Sequence, residues 1–176
     1  KISILVFVDG YLFSLNRWYI NDKTPSSFEK YLILFSLALI FVIKYRDKMN
    51  KLIVDAANEK IFLMIISNED IYNITHENSK INYERLIILV VDFLKSKGLE
   101  IKDISAFYVN RGPGSYAGIR NSLSLTKAIH LANKIDYYCY SFKDFSSEND
   151  IKYENIPNLC DKFKVKKNLI NPIYIS

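Results

Sequence analysis

Three of the five glycines and one of the four prolines of this 176-residue chain fall between Gly112 and Gly118. Upstream lies an apolar, strand-like run, Ile104–Val109, and downstream a helical pattern begins at Ser122-Leu123-Ser124-Leu125. A strand feeding a glycine-rich turn that opens a helix commits the chain to α/β architecture. It is also where such proteins usually place binding surfaces.

The turn itself is Asn110-Arg111-Gly112-Pro113-Gly114-Ser115-Tyr116-Ala117-Gly118-Ile119-Arg120. Gly112 and Gly114 open backbone angles closed to other residues, and Pro113 stiffens the segment between them. Ser115 is placed to cap the following helix. Backbone N–H groups at such a helix start can hold an anion, with Arg111 and Arg120 adding positive charge. A Walker A loop is excluded, because no Gly-Lys-Ser/Thr follows at the required spacing. A dinucleotide fingerprint fits poorly, since Ala117 stands at the third glycine and Asp136 precedes a strand instead of following one. A phosphate cradle and a purely structural turn both stay open, and the missing lysine favours the turn.

From Met49 the elements follow in order. Strands are expected at 51–57, 61–66 and 71–75, a helix at 81–97 stopped by Gly98, a strand at 104–109, a helix at 116–133 and a strand at 137–140. The order β-β-β-α-β-α-β predicts a mixed sheet, with antiparallel hairpins first and parallel crossovers after. The first helix carries six consecutive apolar residues, Leu86–Val91, followed by Phe93 and Leu94. One stripe can face the sheet, and the surplus needs a second cover. A partner protein is one such cover; residues 1–48 are the other.

Residues 1–48 read unlike the rest. An apolar run at 31–43 predicts a helix about 20 Å long, short of the roughly 30 Å hydrocarbon layer. It is read as a buried or partner-facing helix, a marginal membrane tether, or sequence foreign to the folded protein. Met49 is the expected start of the domain proper, with 1–48 as an atypical extension. Residues 143–176 are expected to be a polar, then lysine-bearing tail.

The net charge of +5 is scattered, which argues against a dedicated nucleic-acid face. The densest basic tract, Lys162–Lys167, reads as a solvated tail. Cys139 and Cys160 lack the spacing of a zinc site or disulfide framework, and His76 and His130 lack the company of catalytic or metal-binding histidines. Neither metal ligands nor catalytic residues are expected, and a reducing, cytoplasmic setting is the default.

The loop from Arg111 to Arg120 is similar to the G-R-G-P-G-S-F-T-G-[LV]-R signature of the TsaB (YeaZ) family, relatives of the Kae1/TsaD, glycoprotease-like proteins. Asn110 replaces the first glycine, Tyr116 the Phe and Ala117 the Thr. Leu52-Ile53-Val54-Asp55 resembles the family's opening strand, and Tyr83-Glu84-Arg85-Leu86 echoes its H-S-E-x-L without the His. The resemblance covers about residues 49–142. It implies an actin-like, ribonuclease H-like ATPase fold whose second lobe is missing or truncated here. In actin-like folds a carboxylate near metal and phosphate follows the first strand. Asp55 occupies that place, but Ala56-Ala57 offer no hydroxyl, so the nucleotide site is expected to be degenerate.

The resemblance further implies a non-catalytic subunit of the machinery that transfers threonylcarbamoyl to adenosine of tRNA. Its partners would be a TsaD-like subunit carrying the ATP and metal, a TsaE-like ATPase, and tRNA indirectly, with self-pairing when alone. The expected partner face uses Leu86, Leu89, Val90 and Phe93 of the over-apolar helix, with Leu123 and Lys127 of the helix after the loop. Gly112, Pro113, Gly114, Ser115 and Gly118 would then set the angle of that second helix. A membrane-tethered interaction protein acting through residues 31–43, and a degenerate nucleotide-binding actin-like domain, are the alternatives.

Overall fold

The computed structural model describes residues 2–8, 11–17, 50–67 and 70–174. The chain divides into two units, 1–44 and 45–176. In the first, strands β1 (Ile2–Val8) and β2 (Tyr11–Arg17) form an antiparallel pair in register from Ile2 opposite Arg17 to Val8 opposite Tyr11. This hairpin was not anticipated, although Asp9-Gly10 between two apolar-rich runs is a hairpin signal in the sequence. The expected helix at 31–43 lies outside the described residues.

The second unit contains β3 (Asn50–Asp55), β4 (Lys60–Ile66), β5 (Ile71–Glu77), α1 (Lys80–Glu84), α2 (Leu86–Ser96), β6 (Ile104–Asn110), α3 (Tyr116–Asn133), β7 (Asp136–Tyr140) and α4 (Ile156–Lys162). The five strands form one sheet in the order β5-β4-β3-β6-β7. β3–β4 and β4–β5 pair antiparallel, while β3–β6 and β6–β7 pair parallel across the helical crossovers. The result is a mixed five-stranded α/β sheet with the hairpins at one edge and the crossovers at the other, as the element order predicts.

Side chains alternate across it, as the pleat requires. Leu52 and Val54 of β3, Phe107 and Val109 of β6, and Tyr137 and Cys139 of β7 face the core shared with α1, α2 and α3. Ile53, Met64, Tyr108 and Tyr140 face the opposite side, where they pack with Phe145, Ile156, Leu159 and Cys160. Covering both faces explains why these strands read as nearly continuous apolar runs.

Two expectations are corrected. The helix expected over 81–97 is two helices, because Arg85 (φ −99°, ψ 13°) departs from helical geometry between them. No glycine or proline marks this break, so its sequence signal is absent. The polar tail expected at 143–176 instead returns to the sheet. α4 has Pro157 in its first turn, where a missing N–H costs nothing, and buries Ile156, Leu159 and Cys160. The segment then runs back along β7, where the Asn168 amide donates to the Tyr137 carbonyl at 2.8 Å. The tract Lys162–Lys167 is thus part of a folded layer. Lys162 pairs with Glu148 at 2.5 Å and Lys167 with Asp136 at 2.9 Å.

α2 divides its apolar residues between two environments. Leu86, Val90, Phe93 and Leu94 are buried, whereas Ile87 and Ile88 are 38% and 42% exposed. Truncation should separate the two sets. Leu94→Ala should lower unfolding free energy by about 2–5 kcal/mol in urea titrations, and Ile88→Ala by less than about 1 kcal/mol.

Candidate functional site

The parallel strands β3 and β6 end side by side, which brings Asp55 and Asn110 together at the mouth of the glycine-rich loop. Asp55 is fully buried and Asn110 nearly so. Burying a carboxylate is costly unless donors replace its water, and four do so. Asp55 Oδ1 accepts from the Ala57 N–H at 3.0 Å. Asp55 Oδ2 accepts from Asn58 Nδ2 at 2.7 Å, Asn110 Nδ2 at 2.9 Å and the Tyr153 hydroxyl at 2.7 Å. The turn of Ala57 back onto this carboxylate ends β3 at Asp55, two residues short of the strand expected from sequence.

Asn110 carries the interaction into the loop. Its Oδ1 accepts from the Gly112 N–H at 2.9 Å, so one amide joins the β3 carboxylate to the start of the turn. The Gly112–Pro113 peptide is cis, and Gly112 sits at φ +98°. The remaining glycines are explained by close approach. A Cβ on Gly114 would lie 2.1 Å from the Ala57 carbonyl oxygen, and one on Gly118 would lie 1.8 Å from that of Ala56. The Ser115 N–H donates to the Ala57 carbonyl at 2.8 Å. The loop is therefore pressed against the end of β3, and α3 starts in van der Waals contact with it.

Ser115 caps α3 as anticipated, accepting from the Gly118 N–H at 3.3 Å. The Tyr83 hydroxyl, from α1, lies within hydrogen-bonding distance of Ser115 Oγ, at 2.8 Å, and of Asn78 Oδ1. Tyr83 had been singled out only as part of a degraded motif; it fastens α1 to the start of α3.

Arg111 does not face an open anion site. Its Nη2 reaches Asp144 Oδ1 at 2.6 Å and its Nη1 donates to the Asn171 carbonyl at 3.0 Å. Its backbone N–H donates to the Tyr140 carbonyl, and its carbonyl accepts from the Ile173 N–H. Arg120 is exposed on α3, where it lines a surface cavity with Ile170, Pro172 and Tyr174. Asp144 is also engaged by the Ser141 N–H at 2.8 Å.

Four residues expected on a partner face, Leu86, Val90, Phe93 and Leu123, are instead buried in this chain's own core. The 3.6-residue period turns them toward the sheet. Leu89 is partly buried against the same core, and the Lys127 ammonium lies 5.8 Å from the Tyr137 ring centroid. Asp55 is placed at the strand end, as expected. Asn58, Asn110 and Tyr153 were missed as its donors. Asn110 could have been found from its position at the end of β6; Tyr153, 98 positions from Asp55, left no local signal.

Among the described residues, no three His, Cys, Asp or Glu side chains group as a metal site. No helix among them is long and apolar enough to cross a membrane. Cys139 and Cys160 are free and buried, and burial pushes both thiols up to about 12.

Residues 72–141 match the model of the family described as TsaD: tRNA N6-adenosine threonylcarbamoyltransferase. No curated protein matches the chain. Among solved structures, YeaZ from Pseudomonas aeruginosa is similar at 20% identity and a TM-score of 0.49, over 52% of this chain and 43% of that one. The matched region thus spans less than half the length of YeaZ. RuvC from T. thermophilus, solved with a Holliday junction substrate, is similar at 10% identity and a TM-score of 0.41, over 65% of this chain and 90% of that one.

Gly118→Ala should destabilise the protein by more than about 2 kcal/mol in chemical denaturation, because the backbone of Ala56 must move. Gly98→Ala, with φ +68° and nothing within 4 Å, should cost about 1–2 kcal/mol through backbone conformation alone. The cysteines should resist iodoacetamide at pH 8 in the native protein and react on unfolding, as read by mass spectrometry. Because their folded pKa values are raised, the native state retains thiol protons that the unfolded state loses. Their contribution to stability therefore falls as pH rises from about 8.5 towards 12. The glycine-rich turn at 110–118 lies inside residues 72–141, the stretch of this chain that is similar to the TsaD family.

Proposed function

We propose that this chain is a non-catalytic scaffold subunit of a complex that transfers threonylcarbamoyl to adenosine of tRNA. It would act by binding a TsaD-like partner. ATP and metal would reside on that partner, a TsaE-like ATPase would join the complex, and tRNA would be engaged through the assembly. In the partner's absence the same face would pair with a second copy.

The observation that carries this reading is the apolar surface left on α1 and α2 after the core is filled. Ile81, Ile87 and Ile88 are 64%, 38% and 42% exposed, and Val91 is half-buried one turn beyond Ile87. Burying such side chains supplies the main driving force of association. The face is therefore redrawn from the core positions Leu86, Val90 and Phe93 to their outward neighbours. The internally bonded Asp55 and Arg111 also support a supporting role over chemistry at the loop.

The test is co-purification with a TsaD-like protein. Ile88→Asp should weaken that complex by at least about tenfold while leaving the circular dichroism spectrum nearly unchanged and the melting temperature only modestly lowered, since the side chain is 42% exposed. Undiminished binding would remove α2 from the interface. Threonylcarbamoyl transfer by the isolated chain would overturn the scaffold role.

A further inference from the structure

The actin-like fold expected from the sequence would bring a metal ion and phosphates to the carboxylate after the first strand. The donor set at Asp55 does not fit them. Both carboxylate oxygens accept hydrogen bonds from this chain, and three donors converge on Oδ2 alone. A cation needs lone pairs, and an anion needs donors that are still free. Asp144, joined to the same loop, is also spent on Arg111 and the Ser141 N–H.

We infer that Tyr153 is a built-in occupant of this site, and that residues 142–155 form a strap holding it there. Asp55 then works as an anchor for the strap, not as a ligand for metal or nucleotide. The phenol has the contacts of a seated ligand. Its hydroxyl donates to Asp55 Oδ2 at 2.7 Å, and its ring stacks on Phe62 with centroids 4.1 Å apart. Phe142 meets the ring edge-on at 5.6 Å. Burial and the neighbouring carboxylate push the Tyr153 phenol above its ordinary range, which keeps its proton available to Asp55.

The strap is fastened at both ends. At one, Arg111 holds Asp144 at 2.6 Å; at the other, Ile156, Leu159 and Cys160 of α4 are buried under the sheet. The tie has a consequence for α3. Asp55 and Arg111 also hold the turn that opens α3, so closing the strap and positioning α3 share the same two residues. The inference concerns the loop and the far face of the sheet, and stands whether or not α2 binds a TsaD-like partner.

Hydrogen exchange of the full chain, read by mass spectrometry, tests it with Tyr153→Phe. That change removes one hydroxyl and keeps the ring stacking, so the fold should persist. Losing a hydrogen bond to a carboxylate should speed exchange in peptides covering 142–155 and 110–118 by at least about tenfold, with peptides from α2 and β4 unchanged. In the native chain, magnesium with ATP should leave exchange at 55–58 unaltered. Unchanged exchange across 142–155 in Tyr153→Phe would overturn the strap. Protection of 55–58 by magnesium with ATP, lost in Asp55→Asn, would overturn the assignment of Asp55 as an internal anchor.

Discussion

The buried carboxylate of Asp55 is the constraint on which this domain's organisation rests. It cannot be left bare in the interior, and the chain supplies four donors from three separate regions: the β3 turn, the end of β6 and the strap before α4. Removing one partner of such a group costs far more than the pair contributes net, because the charge stays buried. Satisfying Asp55 therefore brings the strand ends, the loop and the C-terminal layer into one arrangement.

The glycine-rich loop takes its meaning from that arrangement. Gly114 and Gly118 let α3 touch the backbone beyond β3, where a methyl group would collide with carbonyl oxygens. Asn110 ties Asp55 to Gly112, and Arg111 ties the loop to Asp144 and Asn171. These are polar contacts that orient a helix. What α2 then offers outward, Ile87 and Ile88, follows from which residues the sheet has claimed.

Much of the sheet was legible from the chain because local rules govern it. The strand runs at 51–57, 61–66 and 104–109, the stop at Gly98 and the cap at Ser115 each depend on near neighbours. The failures have a common origin in distance along the chain. Residues 143–155 look polar because their outward side chains outnumber Phe145 and Tyr153, and only the sheet's second face explains why those two turn inward. Tyr153 as donor to Asp55, and Asp144 as partner of Arg111, are pairings no local pattern announces. Leu86, Val90 and Phe93 failed differently: an excess of apolar residues was correctly seen, but its division between core and surface depends on the sheet's position.

The return of the C-terminal layer also bears on how the domain acquires its structure during synthesis. β3 waits for β6, whose paired residues lie about 55 positions on, and Asp55 waits for Tyr153, 98 positions on. Contacts of such long separation form late, since chain closure must be paid for before they give anything back. Until the strap has emerged from the ribosome, the carboxylate lacks one donor and the far face of the sheet, with Ile53, Met64 and Tyr108, lacks its cover. Until that segment is available a nascent chain leaves this apolar face open, the stage at which chaperone holding would have its greatest effect.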